Sequence, residues 1–543
     1  MGTFLDEKIR GDHDFYNDKP IVTSNDHKGK GADCAHEICA DDSSLDEQEF
    51  NEADLIGMVE AVRVLLQGLG EDLHRDGLLK TPLRVARAFL SSMKGYQMSA
   101  EDIICGALFC EPGPQDPNAS GGGSGGMVIV RNIDLFATCR ACLLPFKIRS
   151  HIAYIPSGER VVGLSKLPRV AEIYSSRLQT PHEYADGVAQ ALTDTFKPLG
   201  VAIVVESWHL QWPGITNGNG ITKPSFEEHV AWIPFQAYAG KGSFADRSCT
   251  LWDEFIAVLE LEGTRIHFPS LRESHAEARR GRSCPFLFRD WKTSWNGCNS
   301  ALFPTICSGL GTWSPSNGVI KRATENFVKA ESGSIPAMVA AVESLLRAVG
   351  QDPSSQELQF TAMRYVCWLL ASTQGSRYPS SYLPQRCINN NSVTVNSSAL
   401  VNADDKMETI MASELHIPFY SQCEHHLLPF SGIAHVGYFY SIKDSQIERS
   451  MVLKTVQLYS RRLQVQERLT RQIAEAIMSN STFCGVMVVV EASHVCMVSR
   501  GVKKIASSTA TVATIGRFAK DVASRTAFLK TILKGKADIS CQC

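Results

Sequence analysis

The apolar positions along this chain fall into two periods, and their order recurs. Val62, Leu65, Leu66 and Leu69 return every three or four residues, as do Val342, Leu345, Leu346 and Val349, so each set marks one buried helical stripe. A second helical pattern follows each of them, in "LLKTPLRVARAFL" and "LQFTAMRYVCWLL". Later come unbroken β-branched runs, "GVAIVVESWH" from Gly200 and "GVMVVVEASH" from Gly485, which read as buried strands. "LQVQERLTRQIAEAI" returns to the helical period, with Leu469, Ile473 and Ile477 as its stripe.

These elements form a tandem repeat. Ala61 realigns with Ala341, "LLPF" at Leu143 with "LLPF" at Leu427, "YSSRLQ" at Tyr174 with "YSRRLQ" at Tyr459, and the two valine-rich strands with each other. Collinear matches over separate elements mean duplication. Each copy is expected to run helix, helix, strand, strand, helix, strand, an α+β module with a mainly antiparallel sheet. The expected organisation is a flexible segment at 1–50, a first module at 51–272, a poorly ordered linker at 273–332 and a second module at 333–543. Within the first module, "FEEHVAWIPFQAYAGKGSF" and "LWDEFIAVLELEGTRIHF" offer a closing strand and helix. Two further stretches, Asp116–Met127 and the Ser- and Asn-rich one from Thr373, are expected to be flexible.

Charge and cysteine usage narrow the class. A net charge of −3 and a pI near 6.6 give no long-range pull toward nucleic acid or anionic lipid, and no apolar run approaches a membrane span. Neither partner is expected. The acidic, polar start "MGTFLDEKIRGDHDFYND" does not read as a secretory or transit leader. Seventeen scattered cysteines suit reduced thiols, so a cytoplasmic protein is expected.

The second copy carries metal chemistry. In "SQCEHHLLPF", Cys423 and His426 are one turn apart, and in "EASHVCMVSRG" His494 and Cys496 alternate on what reads as one strand. Cys423, His426 and Cys496 would fill three of zinc's four tetrahedral positions and leave one for water, which is a catalytic count. A structural zinc with a fourth protein ligand, or simply buried thiols and core histidines, are the competing readings. His425 and His494 are then acid/base candidates. Gln466 and Glu467 open a helix, where an amide and a carboxylate match the Watson–Crick edge of guanine; a solvated first turn is the plainer alternative.

CEHH, QVQERLT and H-x-C-M-x-x-R-G, in that order, resemble GTP cyclohydrolase I, and two such modules in one chain resemble the plant form. The resemblance implies tunnelling-fold modules, with helices packed on antiparallel sheets that assemble into a barrel with sites at the seams. It implies a homo-oligomer that converts GTP and water to 7,8-dihydroneopterin triphosphate and formate with a zinc-activated water; because only the second copy has the ligand set, one zinc per chain is expected, in the second module. By the same resemblance Cys423, His426 and Cys496 hold the zinc, His425 and His494 handle protons, and Gln466 with Glu467 holds guanine.

The copies have lost different parts. The family's triphosphate motif survives in the first as "VGLSKLPRV", giving Ser165, Lys166 and Arg169, and "KTPLRVAR" adds Arg84 and Arg87. The second copy has Ser450, Met451 and Lys454 in place of the motif and Arg364 and Cys367 in place of the two arginines, with Arg500 as a phosphate contact of its own. Conversely, the first copy shows Cys139, Ala141 and Cys142 for CEHH, Pro181 and His182 for Gln-Glu, and Gln211 for the late cysteine. Two thiols and an amide predict inert cysteines there. The complementary losses point to a site shared between the two kinds of module. The rival reading is a regulatory or scaffolding homologue that binds GTP or a pterin without turnover.

Overall fold

The computed structural model describes residues 52–110, 126–158, 160–211, 231–261, 263, 266, 284, 335–377, 409–441, 446–479, 483–498 and 508–540. The segment 1–50, the linker 273–332 apart from Cys284, and most of the two stretches expected to be flexible lie outside these residues.

The first copy opens with a helical hairpin, α1 (Glu52–Gly68) and α2 (Thr81–Ser92), followed by the short α3 (Ala100–Ile104) and β1 (Leu108–Cys110). Two long strands come next, β2 (Val128–Cys139) and β3 (Pro145–Ile155), then β4 (Arg160–Val162), α4 (Lys166–Ser175), β5 (Leu178–Gln179), α5 (Pro181–Phe196), β6 (Gly200–Gln211), β7 (Ala231–Gly242) and α6 (Thr250–Glu260). The second copy repeats the plan. Its elements are α7 (Ile335–Ala348), α8 (Thr361–Ser372), β8 (Thr409–Cys423), β9 (Pro429–Ser441), α9 (Arg449–Ser460), β10 (Leu463–Gln464), α10 (Gln466–Ser479), β11 (Gly485–His494), α11 (Val495–Val498), β12 (Thr509–Gly516), α12 (Arg517–Lys520) and α13 (Val522–Ser540).

Both five-stranded sheets have one topology, β5-β2-β3-β6-β7 and β10-β8-β9-β11-β12, antiparallel throughout except at the two-residue edge strands β5 and β10. The α+β class with antiparallel sheets is thus as expected, and the closing strand and helix of the first copy are β7 and α6. One difference is the helix pair between the second and third long strands, where a single helix was expected. In the first copy the extra helix is α4, only ten residues long with Pro168 in its first turn, where no intrahelical N–H is required. Leu167, Val170 and Ala171 give it a short buried stripe.

Each sheet is covered on both faces. In the second copy Val452 and Val456 of α9 and Leu469, Ile473 and Ile477 of α10 meet Ile417, Val436, Val488 and Val490. Phe518, Phe528 and Ile532 cover Phe439, Met487 and Val489 on the opposite face. Each such side chain stabilises by about 1.5–3 kcal/mol on burial. In the first copy Trp252, Phe255 and Leu259 of α6 make the corresponding layer over Ala153, Ile155, Ala202 and Val204.

The helical hairpins cross between the copies. α1 lies along α7, so closely that a Cβ at Gly68 would collide with the Met338 side chain. From there α2 of the first copy reaches the β8–β9 turn of the second, where Thr81 Oγ1 donates to the Glu424 carbonyl at 2.8 Å. Reciprocally, at the start of α8 Thr361 Oγ1 donates to the Arg140 carbonyl of the β2–β3 turn at 2.6 Å. Each metal-motif turn therefore meets the hairpin of the other copy.

Candidate active site

The site begins with a turn that both copies share. Leu427 N donates to the Cys423 carbonyl at 2.9 Å and Cys423 N to the Leu428 carbonyl at 2.9 Å, with Leu427 left-handed at φ 51°. That conformation costs a side-chain-bearing residue roughly 1–2 kcal/mol, and complete burial of the Leu427 side chain offsets it. Closing the turn at five residues swings positions 423 and 426 to one side.

There, Cys423 Sγ lies 3.9 Å from Cys496 Sγ and 4.0 Å from His426 Nδ1. Ligand atoms of Cys423, His494 and Cys496 all fall within 4.8 Å of one another, a donor set of soft thiols and imidazole able to hold a metal ion. The expectation that His494 and Cys496 share a strand is corrected: β11 ends at His494, and Cys496 sits in the one-turn helix α11. The curled backbone brings Cys496 to Cys423. Contact with Cys496 leads in holding the Cys423 thiol well below its ordinary value against burial, with help from His426 and His494.

Gln466, at the start of α10, is buried and wholly engaged. Its Nε2 donates to the carbonyls of Val490 at 3.0 Å and Thr509 at 2.9 Å, so its Oε1 must be the acceptor facing His494 Nε2 at 2.8 Å. His494 Nε2 therefore carries a proton, and in the neutral ring Nδ1 keeps its lone pair. Phe430 stacks on the same imidazole at 4.4 Å. Glu467, the next residue, is exposed in the first turn of α10.

The hairpin of the first copy completes the surroundings. Burial chiefly lowers the proton affinity of His425; the Cys423 sulfur opposes this, and the guanidinium of Arg84 from α2 adds to it. Glu424, only 2% exposed, accepts from Arg75 Nη1 at 2.7 Å and from Arg468 of its own copy. Burial would raise this carboxyl, but the two arginines hold it below the ordinary carboxylate value. Gly77 leaves room for the same carboxylate, since a Cβ there would meet Glu424 Oε1. The charges reverse at the other crossing, where Arg140 pairs with Glu357 of α8's hairpin at 2.9 Å and with Glu183 of its own copy.

Of the expected phosphate-binding residues, Arg84 and Arg87 are exposed along α2, and Ser165, Lys166 and Arg169 lie at the start of α4, Lys166 half-buried and the other two exposed. Arg500 lies outside the described residues. Arg364, the counterpart of Arg84, is directed to the first copy's turn and donates to the Ala141 carbonyl at 3.2 Å. Sequence reasoning did not find Glu424, Arg75 and Arg468; the Arg468–Glu424 pair lies within the second copy, and Arg75 joins it only once the copies dock. It also weighed Gln211 as the late ligand of the first copy, whereas the structure brings His209 and Cys284 to Cys139 and Cys142.

A model of the family described as GTP cyclohydrolase I matches residues 58–220 and again 338–533. The chain belongs to the GTP cyclohydrolase I family. GTP cyclohydrolase 1 of Solanum lycopersicum is 38% identical over 461 residues, covering 84% of this chain and 88% of that protein. GTP cyclohydrolase 1 of Arabidopsis thaliana is 36% identical over 470 residues, 86% of this chain and 88% of its own length. By contrast, GTP cyclohydrolase 1 2 of a Nostoc strain is 44% identical over 168 residues, 31% of this chain yet 72% of that protein. Two GTP cyclohydrolase modules in tandem, each with a curled antiparallel sheet, thus make a tunnelling-fold chain of the plant type. Among the described residues no helix is long and apolar enough to cross a membrane.

Proposed function

We propose that the chain hydrolyses GTP to 7,8-dihydroneopterin triphosphate and formate, at the second copy's Cys/His cluster and with cations from the first. The observation that carries this reading is the crossing of the hairpins, which brings α2 of the first copy to the β8–β9 turn of the second, close enough for Arg84 to lower the proton affinity of His425. Cys423, His426 and Cys496 would hold zinc: the two thiols stand together with His494 as a donor set that fits that ion, and His426 Nδ1 lies 4.0 Å from the Cys423 sulfur. When bound, zinc supplies a Lewis acid that makes water nucleophilic at neutral pH.

The chain's own groups do the rest. Net, one water is consumed: the guanine imidazole ring opens, C8 leaves as formate, and the rearranged ribose closes the new ring. His425, held weakly basic beside Arg84, is suited to pass a proton to N7 and take it back. His494, fixed by Gln466 with Nδ1 unprotonated, is suited either to accept a proton or to serve as a further donor to the metal. Glu467 accepts from the guanine N–H groups, while Gln466 acts through His494, its amide being spent on the sheet. Arg84 and Arg87, with Arg500, offset the triphosphate charge at this seam, and Ser165, Lys166 and Arg169 do so where a neighbouring chain of a homo-oligomer brings them.

The domain division at 51–272 and 333–543, with 1–50 and 273–332 outside the modules, and a cytoplasmic location belong to the same proposal. The test is formate release from GTP, with a fluorescent pterin formed in equal amount by the purified full chain. A zinc-loaded chain that binds GTP and releases no formate would favour the regulatory alternative.

A further inference from the structure

The first copy's altered motif is not merely a lost site. Cys139, Cys142, His209 and Cys284 are all buried, and one ligand atom from each lies within 4.8 Å of every other. Cys142 Sγ stands 3.3 Å from His209 Nε2, while His209 Nδ1 faces the Leu210 carbonyl at 2.9 Å. A carbonyl only accepts, so Nδ1 carries the proton and Nε2 turns its lone pair to the sulfurs. The β2–β3 turn that carries both cysteines repeats the other copy's geometry, with Leu143 N donating to the Cys139 carbonyl at 2.7 Å and Leu143 at φ 60°.

We propose that Cys139, Cys142, His209 and Cys284 bind a second metal ion, a closed three-thiolate, one-imidazole site suited to zinc. Four protein ligands fill a tetrahedral shell and leave no position for water, which makes the site structural and not hydrolytic. The neighbouring charge also fits. Three thiolates and a divalent ion sum to one negative charge, and the guanidinium of Arg364, anchored at the Ala141 carbonyl, is the neighbouring cation. Cys284 belongs to neither copy's motif, so the ion would fasten the inter-copy segment to the β2–β3 turn, under the second copy's α8. The folding free energy of such a site comes with the ion.

The test is the metal content of the full-length chain, purified in reductant, freed of loose metal and measured by elemental analysis. Two zinc ions per chain are expected, falling to one in Cys496→Ser, which removes a ligand of the second copy's cluster. That remaining ion should disappear when Cys284→Ser is added. Cobalt substituted into Cys496→Ser should show the intense sulfur-to-cobalt absorption of a multi-thiolate site, a readout independent of turnover. A Cys496→Ser chain with no bound zinc would overturn the proposal, as would a Cys139–Cys142 disulfide found by mass under non-reducing conditions. Retention of the ion by the double variant would overturn the assignment of Cys284.

Discussion

The two motif turns have the same backbone and opposite surroundings. At 423–428 the turn presents a thiol and two imidazoles, a half-exposed His425 and a cation from the other copy; at 139–144 it presents two thiols around Ala141, with a fully buried His209 and Cys284 behind them. Ala141 stands where the other copy has His425, the proposed proton carrier, and Cys142 replaces the imidazole of His426 by a thiol. Few substitutions on one scaffold therefore separate a centre fit for chemistry from one fit for holding structure. The seam charges differ in the same paired way: Glu424 lies between Arg75 and Arg468, and Arg140 between Glu357 and Glu183. A hairpin bearing Arg75 set on the wrong turn would face Arg140, so the reversed charges also discriminate between pairings.

The largest effect should come from Cys496→Ser. Turnover should be abolished while the ion at Cys139, Cys142, His209 and Cys284 stays, as elemental analysis and formate assay on one sample will tell; retained activity would remove Cys496 from the site. Next comes Glu467→Gln, which swaps an anionic acceptor for an amide able to match only part of the guanine edge. A fall of roughly 100-fold in kcat/KM is expected with metal content unchanged, and near-normal kinetics would show that guanine is held elsewhere.

Glu424→Gln probes the crossing itself. Loss of the carboxylate leaves Arg468 opposite Arg75, which keeps Glu71 as its remaining partner. Removing one partner of a fully buried pair costs about 3–5 kcal/mol, and the partial exposure of both arginines reduces the expectation to about 1–3 kcal/mol. Urea unfolding would measure it, and an unchanged midpoint would mean that the pairing contributes nothing. The smallest effect separates the two crossings most finely. Thr81→Val and Thr361→Val each delete one hydrogen bond between the copies, at about 1 kcal/mol of stability. Only Thr81→Val, beside Glu424, should also lower turnover; equal kinetic losses would mean that both turns take part.

Much of this was legible along the chain because it repeats. The helical stripes, the valine-rich strands and the CEHH turn are local patterns, and duplication let each copy support the reading of the other. His209 is visible too, since "ESWH" realigns with "EASH", although Gln211 is the residue aligned with the late cysteine. Cys284 was not legible: it stands in a stretch without period, far along the chain from Cys139, and only the folded chain brings them together. Likewise the pairing of Glu424 with Arg75 links positions 349 apart in sequence, and no spacing rule reaches so far. The extra helix α4 has Leu167, Val170 and Ala171 at helical spacing, but it is ten residues long and overlaps the Ser165–Arg169 motif, which reads as a turn.

The claim that one working site draws on both copies is tested most directly by Arg84→Ala in the full-length chain, with formate release from GTP and zinc content measured together. Arg84 is exposed and makes no contribution to the core, so the fold should persist. Turnover at low GTP should fall at least tenfold while the zinc content stays at the wild-type value, because the substitution removes the cation proposed to grip the triphosphate and leaves the metal ligands whole. Wild-type kinetics in Arg84→Ala would contradict the shared site and leave the second copy to work alone.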